Sequence, residues 1–287
     1  MDIAKESRDL RVVAEGIRIV TLQTFSNLGF GHIGGAMSIV ETLAALYYGG
    51  ELRHDPDDPA WEGRDRLVMS KGHAGPALYA TLCLRGFFPK ETLLELNQGG
   101  GRLPSHCDMH KTPGVDMTTG SLGQGISTAI GIALGYRLND SESYTYLILG
   151  DGECDEGQIW EGAMFAAHYK LGGLIAFVDW NKQQLDGYTK EVMDLGDISA
   201  KFEAFGWHTQ TVDGHEAGKI KASIIEAKKV TNKPSVIILD TIKGYGCDFA
   251  EGKAGNHHMN FTQEQINRAI DITAHRLEEA RIAAKAN

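Results

Sequence analysis

The sequence of 287 residues is short of several features, and each shortage narrows what the protein can be. Its four cysteines, Cys83, Cys107, Cys154 and Cys247, stand far apart and show no Cys-x-x-Cys spacing. A disulfide framework is not expected, and reduced thiols fit a cytoplasmic protein. No stretch approaches the roughly 18 apolar residues that suggest a membrane span. The charged segment Met1 to Leu10 also lacks the apolar core of a secretory leader. No run of Lys or Arg interrupts a balance of 28 basic against 38 acidic residues, a formal net charge of −10. Nucleic acid and anionic membrane are therefore disfavoured as partners, and any anion must be held by local donors or a metal. No Gly-x-x-x-x-Gly-Lys-Ser/Thr phosphate loop occurs. Neither a repeat nor a low-complexity linker is visible, so one domain over 1–287 is expected, with a helical tail from about residue 263.

What is plentiful is glycine, 35 residues gathered beside periodic segments at 29–35, 99–101, 120–125 and 150–157. Glycine at such junctions lets a backbone approach a ligand or take positive φ. Val13, Ile17, Val20 and Thr24 form an amphipathic helical stripe, and further helices are expected at 38–48, 76–84, 122–138 and 159–169. Ile266, Ile270 and Leu277 mark a closing helix from Gln263. Between these lie short apolar runs at 67–69, 144–149, 174–178 and 236–239, suited to strands buried on both faces. Strands alternating with helices predict an α/β fold, a mainly parallel sheet flanked by helices on both faces.

The sharpest signal is chemical. The run 144–149 leads straight into Gly150-Asp151-Gly152, and the next strand ends at Asp179-Trp180-Asn181. Parallel sheets bind ligands at the carboxyl ends of their strands, and a right-handed crossover would bring Asp151 and Asn181 to one edge. A carboxylate with an amide carbonyl suits a hard cation that also keeps phosphate oxygens. A Gly-Asp-Gly turn alone is common and carries little; the second strand's Asn is what gives it meaning.

Gly150-Asp151-Gly152 followed thirty residues after Asp151 by Asn181 resembles the thiamine-diphosphate motif, and its surroundings resemble the transketolase family. Ser26 to Gly35 is similar to that family's first active-site loop, and Ser70-Lys71-Gly72-His73-Ala74 to its second. Pro113 to Asp116 and Thr118 to Gly125 are similar to its cofactor loop, and Lys170 to Ala176 leads into Asn181. The resemblance runs from Val13 to Gly246 and implies the thiamin diphosphate-binding fold (PP domain). It also implies thiamine diphosphate bound with Mg²⁺, for which Ca²⁺ or Mn²⁺ could substitute. Asp151 and Asn181 would ligate the metal through side chains and Gln183 through its backbone carbonyl. Relatives often carry a second Asn where this chain has Lys182. Gly150 and Gly152 would approach the diphosphate, Gly120 and Leu122 would meet the cofactor rings, and Glu156 and Glu161 would lie between cofactor sites.

Among 11 histidines, the resemblance singles out His73 for the diphosphate and His32 and His106 for the reacting sugar. One of His257 and His258 would join them, with His258 preferred. His54, His110, His168, His208, His215 and His275 read as structural. In the family, a glutamate on a separate pyrimidine-binding domain activates the cofactor, and nothing after Gly246 resembles that domain. The resemblance thus implies the N-terminal subunit of a split transketolase, active only with a partner chain in an α2β2 assembly. It would move a two-carbon ketol unit from a ketose to an aldose. The sugar's end could be phosphate, sulfonate or a branched unit, and Arg102 is a candidate contact or simply a loop arginine. Alternatives are the α subunit of a 2-oxo-acid dehydrogenase and a non-catalytic binding module of the same fold.

Overall fold

The run Tyr146–Leu149 has no polar face, so a strand there has to be covered on both sides. In the structure, a computed structural model describing residues 9–286, that is what happens. The earlier residues, on which most of the leader-free reading of the N-terminus falls, lie outside the described residues. The chain opens with helix α1 (Leu10–Ser26), strand β1 (Phe30–Gly31), helices α2 (Ile33–Met37) and α3 (Val40–Tyr48), and strand β2 (Arg66–Met69). Helices α4 (Gly75–Arg85) and α5 (Gln124–Leu138), strand β3 (Thr145–Gly150), helix α6 (Gly157–His168) and strand β4 (Leu174–Trp180) follow. Then come α7 (Thr189–Val192), α8 (Ile198–Ala204), β5 (His208–Asp213), α9 (Ala217–Lys228), β6 (Ser235–Asp240), β7 (Met259–Asn260) and α10 (Gln263–Ala286).

Five strands form one parallel sheet in the order β2-β3-β4-β6-β5. Side chains alternate across a strand, and the two faces feed two separate cores. Tyr146, Ile148, Ile175, Phe177, Ile237 and Leu239 pack toward α1, α3, α4 and α9. Leu147, Leu149, Ala176, Val178, Val236 and Ile238 pack toward α5, α6 and α8. The expected helix-covered parallel sheet is therefore what forms.

Local chemistry sets several boundaries. Asp9 caps α1 by accepting the Arg11 N–H at 2.9 Å, which satisfies one of the donors a helix start leaves open. The helix expected from 38 starts only at Val40, after the separate turn-and-a-half of α2. The edge strand β5 was not expected, because its residues are polar and half-exposed and carry no apolar run; α8 and α9 were likewise not foreseen. Helix α10 closes against α1 through Val12, Ile19 and Leu277. All four cysteines are free. Among the described residues, no helix is long and apolar enough to cross a membrane.

Candidate active site

Strands β3 and β4 end side by side, with Gly150 opposite Asp179 and the Asp151 N–H donating to the Asp179 carbonyl at 3.2 Å. Asp151 and Asn181 thus reach the same sheet edge. Both Asp151 oxygens accept backbone N–H groups, from Gly152 at 2.8 Å and from Lys182 at 2.6 Å. Burial, with the negative Asp179 close by, pushes the Asp151 carboxyl up to about 7. Asn181 accepts the Gln183 N–H at 3.1 Å and donates to Asp179 at 2.9 Å. Asp179 is completely buried and receives the Lys71 ammonium and the Ser38 and Thr241 hydroxyls. Burial opposes its ionisation, but the ammonium and hydroxyl donors outweigh that and hold it below the usual carboxylate range.

A cavity of about 130 Å³ opens between these strand ends. Asp151, Asn181 and Gln183 line it together with Gly150, Gly152, His73 and Leu122. Lys243 and His257, from the segment after β6, close another side. The Lys243 ammonium donates to the Gln183 and Gln184 carbonyls at 3.2 and 3.4 Å and meets His257 Nδ1 at 3.2 Å. Burial and the neighbouring Lys71 bring Lys243 down to about 8.

The histidines form a wall beside the cavity. The His32 ring centroid lies 5.7 Å from His73, 5.3 Å from His106, 5.5 Å from His257 and 4.7 Å from His258. His73 and His257 are 4.6 Å apart. Burial and mutual repulsion bring His32 down to about 4, and burial with Lys243 brings His257 to about 3. His73 and His106 are lowered too, chiefly by burial. A wall of neutral imidazoles can both donate and accept hydrogen bonds near pH 7. Gly35 and Gly120 let the wall close up. A Cβ on Gly35 would stand 2.8 Å from His73 Nε2, and Gly120 takes φ +148° against the His106 ring.

Similarity to known proteins decides between the possibilities. A family model described as "Transketolase, thiamine diphosphate binding domain" matches residues 10–277. The chain belongs to the transketolase family. Thiamine diphosphate is its cofactor and ketol transfer its chemistry, which leaves the dehydrogenase alternative behind. It is 52% identical over 268 residues to the 6-deoxy-6-sulfo-D-fructose transketolase subunit SqwG of Clostridium sp. (strain MSTE9), covering 93% of this chain and 97% of that one. It is 39% identical to an apulose-4-phosphate transketolase subunit of Phocaeicola vulgatus, covering 87% and 88%. Transketolase 1 of Escherichia coli is 37% identical over 85% of this chain but only 38% of its own length. A Pichia stipitis transketolase structure in complex with sedoheptulose 7-phosphate matches with TM-score 0.85 at 34% identity, covering 98% of this chain and 45% of that chain.

Within this transketolase chain, other named positions lie around the cavity or outside it. Glu156 stands exposed at the start of α6, outside the cavity, with Glu161 also exposed. The cavity is lined instead by Glu153, which accepts the Gly123 and Gly150 N–H groups at 2.9 and 3.0 Å and the Ser70 hydroxyl. Of the adjacent pair, His257 lines the cavity, whereas the preferred His258 is exposed beside His32. Arg102 is committed to Glu95, whose carboxylate it grips at 2.6 to 3.2 Å. Lys182 sits at φ +65°, a conformation Asn adopts more readily than Lys. Its side chain turns to Asp240 and the Thr241 carbonyl, and only its N–H serves Asp151. Sequence reading missed Lys243 and Asp179. Lys243 follows an apolar strand run to the same sheet edge, which is the signal that could have found it.

Proposed function

We propose that this chain is the cofactor-anchoring subunit of a two-chain transketolase, completed by a subunit that carries the pyrimidine-binding domain, in an α2β2 assembly with twofold symmetry. The pairing of unlike, unneutralised charges in one cavity carries the reading. Among the described residues, Asp151 faces the cavity as a carboxyl group served only by backbone N–H groups and held back from ionising by its burial, and Lys243 faces it as an ammonium that meets only carbonyls and an imidazole. A divalent cation bound to a diphosphate supplies the partner each lacks.

The donor set fits Mg²⁺, with one carboxylate, one amide oxygen and the Gln183 carbonyl, all oxygen and lining one cavity. Among the described residues, no group of three His, Cys, Asp or Glu side chains could hold a metal; with Mg²⁺ bound, diphosphate oxygens and water would complete the shell. Lys243 and His73 would donate to the diphosphate, and Leu122 and Gly120 would meet the cofactor rings. When bound, thiamine diphosphate supplies the carbanion equivalent and the electron sink for cleaving and forming a carbon–carbon bond. The chain's own residues do the rest. His32 and His106, neutral at pH 7, hold the ketose hydroxyls and carry the proton that leaves or returns during cleavage and addition. His257 presents its outer nitrogen to the reacting end of the sugar, because Lys243 occupies Nδ1. Glu156 and Glu161 face the neighbouring copy across the twofold axis.

The relatives' names support a substrate class for this chain, a ketose with an anionic end, sulfonate or phosphate, that gives two carbons to an aldose. The purified chain, mixed with the partner chain, thiamine diphosphate and Mg²⁺, should transfer ketol units from such a ketose, and each chain alone should not. Full activity from this chain alone would refute the two-chain reading; cofactor binding without transfer by the mixture would favour a non-catalytic module.

A further inference from the structure

Lys243 stands at the tip of a turn. The Tyr245 N–H donates to the Ile242 carbonyl at 3.1 Å, and Gly244 takes φ +82°, the positive value such a turn needs at its third position. From this tip the buried Lys243 side chain enters the cofactor cavity. A lysine side chain is long and flexible, so its charge keeps one place only if the backbone beneath it is fixed. Ile242 and Tyr245, the two feet of the turn, are held from outside the cavity.

Both feet rest on His215. It follows β5, where the Gly214 N–H donates to the Asp240 carbonyl at 2.9 Å. A Cβ on Gly214 would stand 2.3 Å from Thr241 Cγ2, so glycine lets the two segments lie this close. His215 Nε2 accepts the Ile242 N–H at 2.8 Å. Its ring stacks on Tyr245, with centroids 3.6 Å and planes 18° apart. Because Nε2 accepts, Nδ1 carries the ring hydrogen, and it lies 3.8 Å from the Glu41 carboxylate. Arg18 and Arg276 lie over the same Tyr245 ring at 5.1 and 4.9 Å, and Arg18 donates to the Tyr245 carbonyl at 2.7 Å. His215 is absent from the lining of the cofactor cavity; with Glu41, Tyr245 and Arg276 it lines a separate one of about 350 Å³. It can therefore act on the cofactor only through the turn.

We propose that His215 is a positioning residue, which by holding Ile242 and Tyr245 fixes the turn that aims the Lys243 ammonium at the cofactor's diphosphate. This rests on the reading of Lys243 given above. The test is equilibrium dialysis of thiamine diphosphate, with Mg²⁺ present, against the two-subunit complex. His215→Phe keeps a ring on Tyr245 and removes the acceptor. It should raise the Kd about fivefold, the worth of one neutral hydrogen bond, and the smaller His215→Ala should do at least as much. His215→Gln, whose side-chain oxygen can stand near the place of Nε2, should recover most of the loss. With cofactor saturating, kcat should stay within about twofold. In a complex that already carries Lys243→Met, His215→Phe should cost nothing further, because two residues acting through one group do not add. An unchanged Kd in His215→Phe and His215→Ala, or the same loss with and without Lys243→Met, would overturn the proposal. A Kd unmoved by Lys243→Met alone would instead overturn the reading of Lys243, and this proposal with it.

Discussion

The two ends of the same parallel sheet treat buried charge in opposite ways. At the amino ends of the strands, Asp65 accepts from Arg53 at 3.1 Å and from the Tyr144 N–H at 2.7 Å. Nearby, Lys228 pairs with Glu51 at 2.8 Å, and Asp116 takes Arg64. Each charge there is cancelled by a side chain of the same chain. At the carboxyl ends, Lys71 and Asp179 cancel one another, but Asp151 and Lys243 do not. Pairing at one end holds the fold together, and the lack of it at the other leaves room for a ligand that brings both signs of charge.

Exchanging one residue at each end should break the comparison most visibly. Asp151→Ala should lower kcat/KM of the assembled enzyme by about a thousandfold or more, the scale of losing several kcal/mol of metal-based stabilisation. It should also abolish the rise in melting temperature on adding thiamine diphosphate and Mg²⁺. Asp65→Ala should do the reverse, costing about 1–3 kcal/mol of stability through stranded N–H donors while kcat stays within about twofold. A catalytic collapse in Asp65→Ala would show that the two ends are not separable.

A smaller effect is expected from the cation. Lys243→Met keeps the length of the side chain and removes only the charge. The apparent affinity for thiamine diphosphate, read from activity against cofactor concentration, should fall by about 10- to 100-fold, the value of a charged hydrogen bond. An unchanged affinity would mean that Lys243 merely braces the Gln183 carbonyl.

The smallest expected effect is one of acidity. His32 titrates near 6.5 in an unfolded chain and at about 4 in the fold. A depressed imidazole lets the unfolded chain bind more protons, so its contribution is full above about 6.5 and is lost as pH falls toward 4. The urea midpoint of the unliganded chain should therefore drop between pH 7 and pH 5, and drop less in His32→Asn. Equal drops would place the acid sensitivity elsewhere.

How legible all this was in the sequence depends on how local each feature is. Asp151 and Asn181 stand directly after apolar strands, and the rule for parallel sheets carries a reader from one to the other. The edge strand β5 gives no such handle, since an edge needs no apolar run and its polar residues read as loop. Glu153 and Glu156 differ by less than one turn, and only the three-dimensional path of the segment before α6 decides which of them enters the cavity. The separation of His257 from His258 depends on pairing with residues near position 30, which no local pattern announces.

That pairing, strand β1 antiparallel to strand β7, also bears on how the molecule comes into being. Two residue pairs, spanning about 230 positions of sequence, join the loop of His32 to the loop of His257 and His258. Closing so long a span is entropically costly and is repaid only once the intervening sheet exists. On the ribosome, the strand ends that carry Asp151 and Asn181 are complete many residues before position 260 emerges. The histidine wall is thus among the last parts to assemble during synthesis, and with so few bonds across its seam it should be among the first amides to exchange with solvent.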